Sequence, residues 1–138
     1  LVDRVRAVAP DNILIVSGVN WGYDLSGIAQ GYAIQGTNIV YSTHPFNYSN
    51  KQPADWPAAF GSLTAQVPVL ATEFGSYDCG TSYTATAISY FNQQHMSWLA
   101  WAWNAGDCGG PSLLAGWDGT PSQPYGAYIK AQMLAANK

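Results

Sequence analysis

A chain of 138 residues with a net charge of −3 and only five lysines and arginines is large enough for one hydrophobic core. It has no basic stripe to follow a phosphate backbone and no polybasic patch for an anionic membrane surface, and no run is long and apolar enough to span a bilayer, so neither nucleic acid nor membrane is expected as a partner. Charged residues make up 9% and aromatics 14%, so polar contacts fall to Ser, Thr, Asn, Gln, Tyr and Trp, which suit neutral, hydroxyl-rich ligands.

The opening LVDRVRAVAP reads as the last turns of a helix rather than a natural start. Four short apolar runs follow: residues 13–16 (ILIV), 39–41 (IVY), 67–71 (VPVLA) and 98–103 (WLAWAW), each expected to be a buried strand. Between and after them, residues 53–66, 83–94 and 125–136 carry helical patterns, the last two with Ala87, Ile88 and Phe91, and with Tyr125, Ile129 and Met133, on one face. Buried strands alternating with crossover helices call for a parallel sheet with right-handed connections. Four such units are half of a (β/α)8 TIM barrel, and 138 residues are about half of the roughly 250 of a complete one. The expected fold is therefore α/β, a single (β/α)4 half-barrel over residues 1–138, completed by a second copy of itself or by a missing N-terminal half.

In such an architecture the carboxyl ends of the strands converge on one rim, where barrel enzymes hold their chemistry. Those ends read Ser17-Gly18-Val19-Asn20-Trp21, Thr43-His44-Pro45-Phe46, Thr72-Glu73-Phe74-Gly75 and Trp103-Asn104-Ala105-Gly106-Asp107. Glu73, His44, Trp103 and Trp21 are thus expected to share one cleft. Glu73 is the only glutamate in the chain and directly follows an apolar strand, where an uncompensated carboxylate is costly to bury. A catalytic role explains that placement; the alternative is a solvated strand-end residue. His44, one strand away, can orient that carboxylate or bind a sugar hydroxyl, whereas His95 follows a helix and reads as structural. Trp103 can stack on the apolar face of a pyranose, and Trp21 and Trp117 lie in loops that can line outer sugar positions; Trp98 and Trp101 read as core.

Cys79 and Cys108 each fall just after a strand, in loops at one end of the molecule, and form a candidate disulfide, which points to an oxidising, extracellular setting. No metal-ligand spacing, phosphate loop or nucleophile elbow is present, so no metal or other cofactor is expected. Asn47-Tyr48-Ser49 matches a glycosylation sequon.

These motifs together resemble glycoside hydrolase family 5, the cellulase family, over nearly the whole chain from Asn12 onward and over the family's second half. Ile39-Val40-Tyr41-Ser42-Thr43-His44 is similar to its sixth strand with the active-site histidine, Pro68-Val69-Leu70-Ala71-Thr72-Glu73-Phe74-Gly75 to its seventh with the nucleophile, and residues 98–104 to its eighth with the sugar-stacking tryptophan and Asn104. The resemblance implies strands five to eight of a retaining β-1,4-glucanase, secreted, binding a β-glucan polysaccharide or oligosaccharide through the Trp103-Asn104 segment, with Trp21 and Trp117 as the loop candidates for outer positions. Two departures stand out. Phe46 replaces the tyrosine whose hydroxyl contacts the nucleophile in the family, with Tyr48 a possible substitute, and the family's Asn-Glu acid/base pair belongs to the half not represented here. The chain alone is accordingly expected to be inactive or weakly active. The reading from another class is a non-catalytic carbohydrate-binding or structural half-barrel that homodimerises.

Overall fold

The computed structural model describes residues 1–136. A short helix α1 (Val2–Arg6) leads into β1 (Leu14–Ser17), a helical turn α2 (Val19–Gly22), β2 (Ile39–Thr43), α3 (Trp56–Ala59), β3 (Val69–Ala71), α4 (Ser82–Gln93), β4 (Ser97–Trp98) and α5 (Tyr125–Ala136). The four strands form one parallel sheet in sequential order, with Ser17 beside Ser42, Ser42 beside Leu70, and Ala71 beside Trp98. Sequential parallel order with one helix-bearing connection per step is the half-barrel expected from the sequence.

Strand side chains alternate between faces. Those of Val16, Tyr41, Val69, Ala71 and Trp98 join the core under the helices, where Trp56, Phe60, Phe74 and Phe91 are completely buried. Trp56 is its centre, packing edge-on or tilted against Phe60, Tyr83 and Tyr90 and stacked on Phe91, while its indole N–H donates to the Lys51 carbonyl at 3.0 Å. Such an aromatic knot gains from ring geometry as well as from burial. From α5, Tyr125 and Ile129 close the far end. The other face of the sheet has no helix over it, and Ile13, Ile15 and Leu99 are 66%, 54% and 59% exposed there.

Two elements differ from the sequence reading. The helix expected over residues 53–66 is cut to α3 and a 3-10 turn at Gly61–Leu63, because Phe60 leaves helical geometry (φ −154°) to bury its ring and the Tyr90 hydroxyl packs onto Gly61 where a Cβ would stand. The strand expected over residues 98–103 keeps a regular ladder only at Ser97–Trp98. Beyond it Leu99 and Trp101 still donate to Ala71 and Phe74, but Ala102 turns to the Pro111 carbonyl, since β4 is an edge with no second strand to hold it straight.

Cys79 and Cys108 form a disulfide between the loops that follow β3 and β4, with Cα atoms 4.7 Å apart. Across a separation of 29 residues the chain-entropy model assigns such a link roughly 3 to 4 kcal/mol. No helix among the described residues is long and apolar enough to cross a membrane.

Candidate active site

The carboxyl rim opens into a cleft of about 680 Å³ that is lined by residues of all four strand ends and the loop after β2, among them Trp21, His44, Tyr48, Lys51, Glu73, Tyr77 and Trp101. Glu73 stands one residue past the Thr72 that continues β3, and its Oε2 lies 3.8 Å from His44 Nδ1. The imidazole is held on its other edge: His44 Nε2 is 2.8 Å from Thr72 Oγ1 and 3.3 Å from Ser42 Oγ, and these two hydroxyls are themselves hydrogen-bonded. Behind the ring, a Cβ on Gly22 would overlap Nδ1, and the His44 N–H donates to the Gly22 carbonyl at 3.0 Å.

Trp21 projects from a backbone that leaves ordinary space. Asn20, Trp21 and Gly22 all adopt positive φ (55°, 59° and 77°), costly for the two that are not glycine. Lys51 anchors that turn: its ammonium donates to the Asn20 carbonyl at 3.1 Å and lies 5.0 Å from the centre of the Tyr23 ring and 5.9 Å from that of Tyr48. Burial pushes the Lys51 pKa down, and the carbonyl and ring faces supply the stabilisation that water no longer does. Trp21 itself is 90% exposed, a displayed platform on a fixed stem.

On the opposite wall Phe46 is buried, its ring 5.5 Å from Tyr77, whose ring is 5.4 Å from Tyr48. The Tyr77 amide donates to Asn47 Oδ1 at 2.9 Å, so the sequon asparagine serves to fix the loop after β3. The next residue caps that loop as well: Asp78 Oδ1 accepts from the Ser76 hydroxyl at 2.5 Å and from the Gly80 N–H at 2.8 Å, which hold its carboxyl below the usual range. Desolvation first, then a hydrogen bond and charge from Tyr48 and the charge of Glu73, raise the Tyr77 phenol to about 12. The phenols lining the cleft are Tyr48 and Tyr77.

The cleft brings together Glu73, His44 and Trp21, but Trp103 is elsewhere. It is 73% exposed and lines an apolar groove with Trp98, Leu99, Leu113, Ile129 and Met133 along the edge of β4 and α5. Trp101, read from the sequence as core, takes the place on the cleft wall and is 42% exposed. Strand parity was the signal that could have taken Trp101 out of the core, although it does not separate Trp101 from Trp103. Trp98 and Ala100 pack on the core, so Leu99 and Trp101 must face the open side. Asn104 and Trp117 are exposed on the rim outside the cleft, Asn104 bonding through its backbone to Ala102 and Leu114. Tyr77 and Lys51 were not singled out by the sequence reading, because nothing in their local pattern separates a cleft residue from a surface one. Among the described residues no group of His, Cys, Asp or Glu could hold a metal ion.

Half of a (β/α)8 barrel whose carboxyl rim sets a carboxylate beside an imidazole between two indoles presents an acidic, aromatic-lined cleft at the end where barrel enzymes hold their chemistry. Comparison with known proteins makes the class specific. Residues 1–107 match the model of the cellulase family, glycosyl hydrolase family 5, and the chain belongs to that family. An endoglucanase of Clostridium saccharobutylicum is 23% identical over 99% of the chain and 33% of its own length. A β-glucanase from Saccharophagus degradans superimposes with a TM-score of 0.83 at 29% identity, covering 99% of this chain and 45% of its own; in complex with cellotetraose the TM-score is 0.84. The catalytic domain of Thermobifida fusca endoglucanase Cel5A shares the fold at TM-score 0.73 and 20% identity. The chain thus spans between a third and a half of the length of these relatives.

Proposed function

We propose that this chain supplies the nucleophile half of a retaining endo-β-1,4-glucanase, corresponding to strands five to eight of the barrel. The observation that carries the reading is the placement of Glu73, the sole glutamate, 3.8 Å from His44 Nδ1 in a cleft walled by Trp21 and Trp101. In this reading Glu73 attacks the anomeric carbon, the glycosidic oxygen leaves with a proton from a general acid, and water hydrolyses the glycosyl-enzyme ester with that acid now acting as base. Trp101 is the sugar platform beside Glu73 and Trp21 a platform farther along the glucan, with Asn104 and Trp117 as outer contacts. The cellotetraose complex of the Saccharophagus relative supports a β-glucan as ligand. The disulfide suits a secreted protein.

A retaining cleavage needs a second carboxyl about 5 to 5.5 Å from the nucleophile, and the chain has no other glutamate to supply it. The acid/base comes with the complementary half of the barrel, which also pairs the free edges of β1 and β4 and covers Ile13, Ile15, Leu99 and the Trp103 groove. A second copy can close the sheet in the same way but brings no acid. Release of reducing ends by the chain alone should fall short of a complete barrel by about 10²- to 10⁴-fold, and a complementary half bearing Asn-Glu should restore it. Activated aryl glycosides need less acid assistance, so the chain alone should turn them over slowly and Glu73→Gln should abolish that turnover. Full glucanase activity from the isolated chain, or aryl glycoside turnover that survives Glu73→Gln, would overturn the reading.

A further inference from the structure

Two hydroxyls at the site meet the imidazole of His44. Ser42 is completely buried and Thr72 partly so, both on the uncovered face of the sheet. Ser42 pairs with Leu70 in the ladder, so the next residues on that face, His44 and Thr72, fall side by side. The contacts follow from that register: Ser42 Oγ to Thr72 Oγ1, Thr72 Oγ1 to His44 Nε2 at 2.8 Å, and Ser42 Oγ to the same nitrogen at 3.3 Å.

The direction of these bonds follows from what lies on the other edge of the ring. Glu73 Oε2 is 3.8 Å from Nδ1, and a carboxylate only accepts, so the favoured neutral imidazole is the one that turns a proton towards it. A neutral ring has one N–H, which leaves Nε2 bare and in need of a donor. Thr72, the nearer hydroxyl, donates to Nε2, and Ser42 donates to Thr72. Gly22 closes the remaining side, where any Cβ would overlap Nδ1, so the ring cannot swing away to another partner.

We propose that Ser42 and Thr72 are positioning residues that lock His44 in its Nδ1–H tautomer, with the proton facing Glu73. Donation runs Ser42 to Thr72 to His44 Nε2, and the Nδ1–H faces Glu73 Oε2 across 3.8 Å. Its consequence for the reaction rests on Glu73 being the nucleophile: a proton fixed on the edge of the ring that faces Glu73 keeps a positive dipole end towards the carboxylate.

The chain contains only two histidines, so a long-range ¹H–¹⁵N spectrum of the full chain at about pH 8.5, above the ordinary imidazole range, resolves both rings. Exposed His95 serves as the internal reference for a ring without imposed partners. His44 should show the Nδ1–H form in the wild type. In Thr72→Val the population should move roughly 3- to 10-fold towards Nε2–H, the range a single net hydrogen bond commands. Ser42→Ala should shift it less in the same direction, and Thr72→Ser should restore the wild-type ratio. A wild-type His44 already in the Nε2–H form overturns the proposal, as does an unchanged ratio in Thr72→Val. If Thr72→Val does not fold, the wild-type tautomer and Ser42→Ala decide by the same criteria. Because this readout does not involve turnover, failure of the nucleophile assignment would show in Glu73→Gln kinetics and leave the tautomer measurement intact.

Discussion

The two faces of the sheet teach different things about the same strands. On the helix side Trp56, Phe60, Phe74 and Phe91 are completely buried and interlock ring against ring, whereas on the opposite side Ile13, Ile15 and Leu99 lie more than half exposed. Alternating residues of one β-strand therefore meet a finished core on one side and an unfilled barrel interior on the other. A barrel interior is a packed core made by all eight strands, so four of them leave it open by geometry, whatever their apolar content.

The largest effect should come from substituting one residue on each face. Trp56→Ala removes the centre of the aromatic knot and should destabilise the chain by about 3 to 5 kcal/mol in urea titration. Ile15→Ser, on the open face, should stay within about 0.5 kcal/mol in the isolated chain yet prevent activity from being restored by a complementary half. A large loss from Ile15→Ser in the chain alone would break the comparison, since it would mean that the open face is already packed.

The two tryptophans of the last strand end sharpen it. Trp101→Ala should weaken cellotetraose binding to the completed barrel by about 1 to 2 kcal/mol, roughly tenfold, with little effect on assembly of the halves. Trp103→Ala should do the reverse. Calorimetry with the sugar and sedimentation of the mixed halves separate the two, and interchanged outcomes would return Trp103 to the cleft.

The smallest effect concerns alkaline pH and touches both the packed side and the cleft. Burial raises the phenols of Tyr23, Tyr83 and Tyr125, and Tyr77 in the cleft is raised to about 12. A phenol whose folded pKa lies above its unfolded value of about 10 keeps its proton longer in the folded state, so its contribution is complete below about pH 10 and is lost as pH rises towards the folded value. Denaturation midpoints should fall between about pH 10 and 12, and Tyr77→Phe should make that fall shallower by a single group's share. An unchanged slope in Tyr77→Phe would place its phenol in open solvent.

The strands, the alternation with helices and the half-barrel were legible in the sequence because each rests on local periodicity, and the carboxyl-rim rule then put Glu73, His44 and Trp21 at one end of the sheet. The sequence alone also shows that Glu73 is the single glutamate of the chain. Which tryptophan joins Glu73 was decided only in the tertiary structure, since β4 loses its ladder after Trp98 and the edge turns Trp103 into an apolar groove while Trp101 stays on the cleft wall. The break at Phe60 and Gly61 has the same origin: α4 sets the hydroxyl of Tyr90, 29 residues after Gly61, against the backbone, a demand that no window of local sequence contains. The Ser42, Thr72 and His44 contacts likewise require the register between two strands. Periodicity says which face a residue takes, but only the pairing of strands says which residue stands beside it.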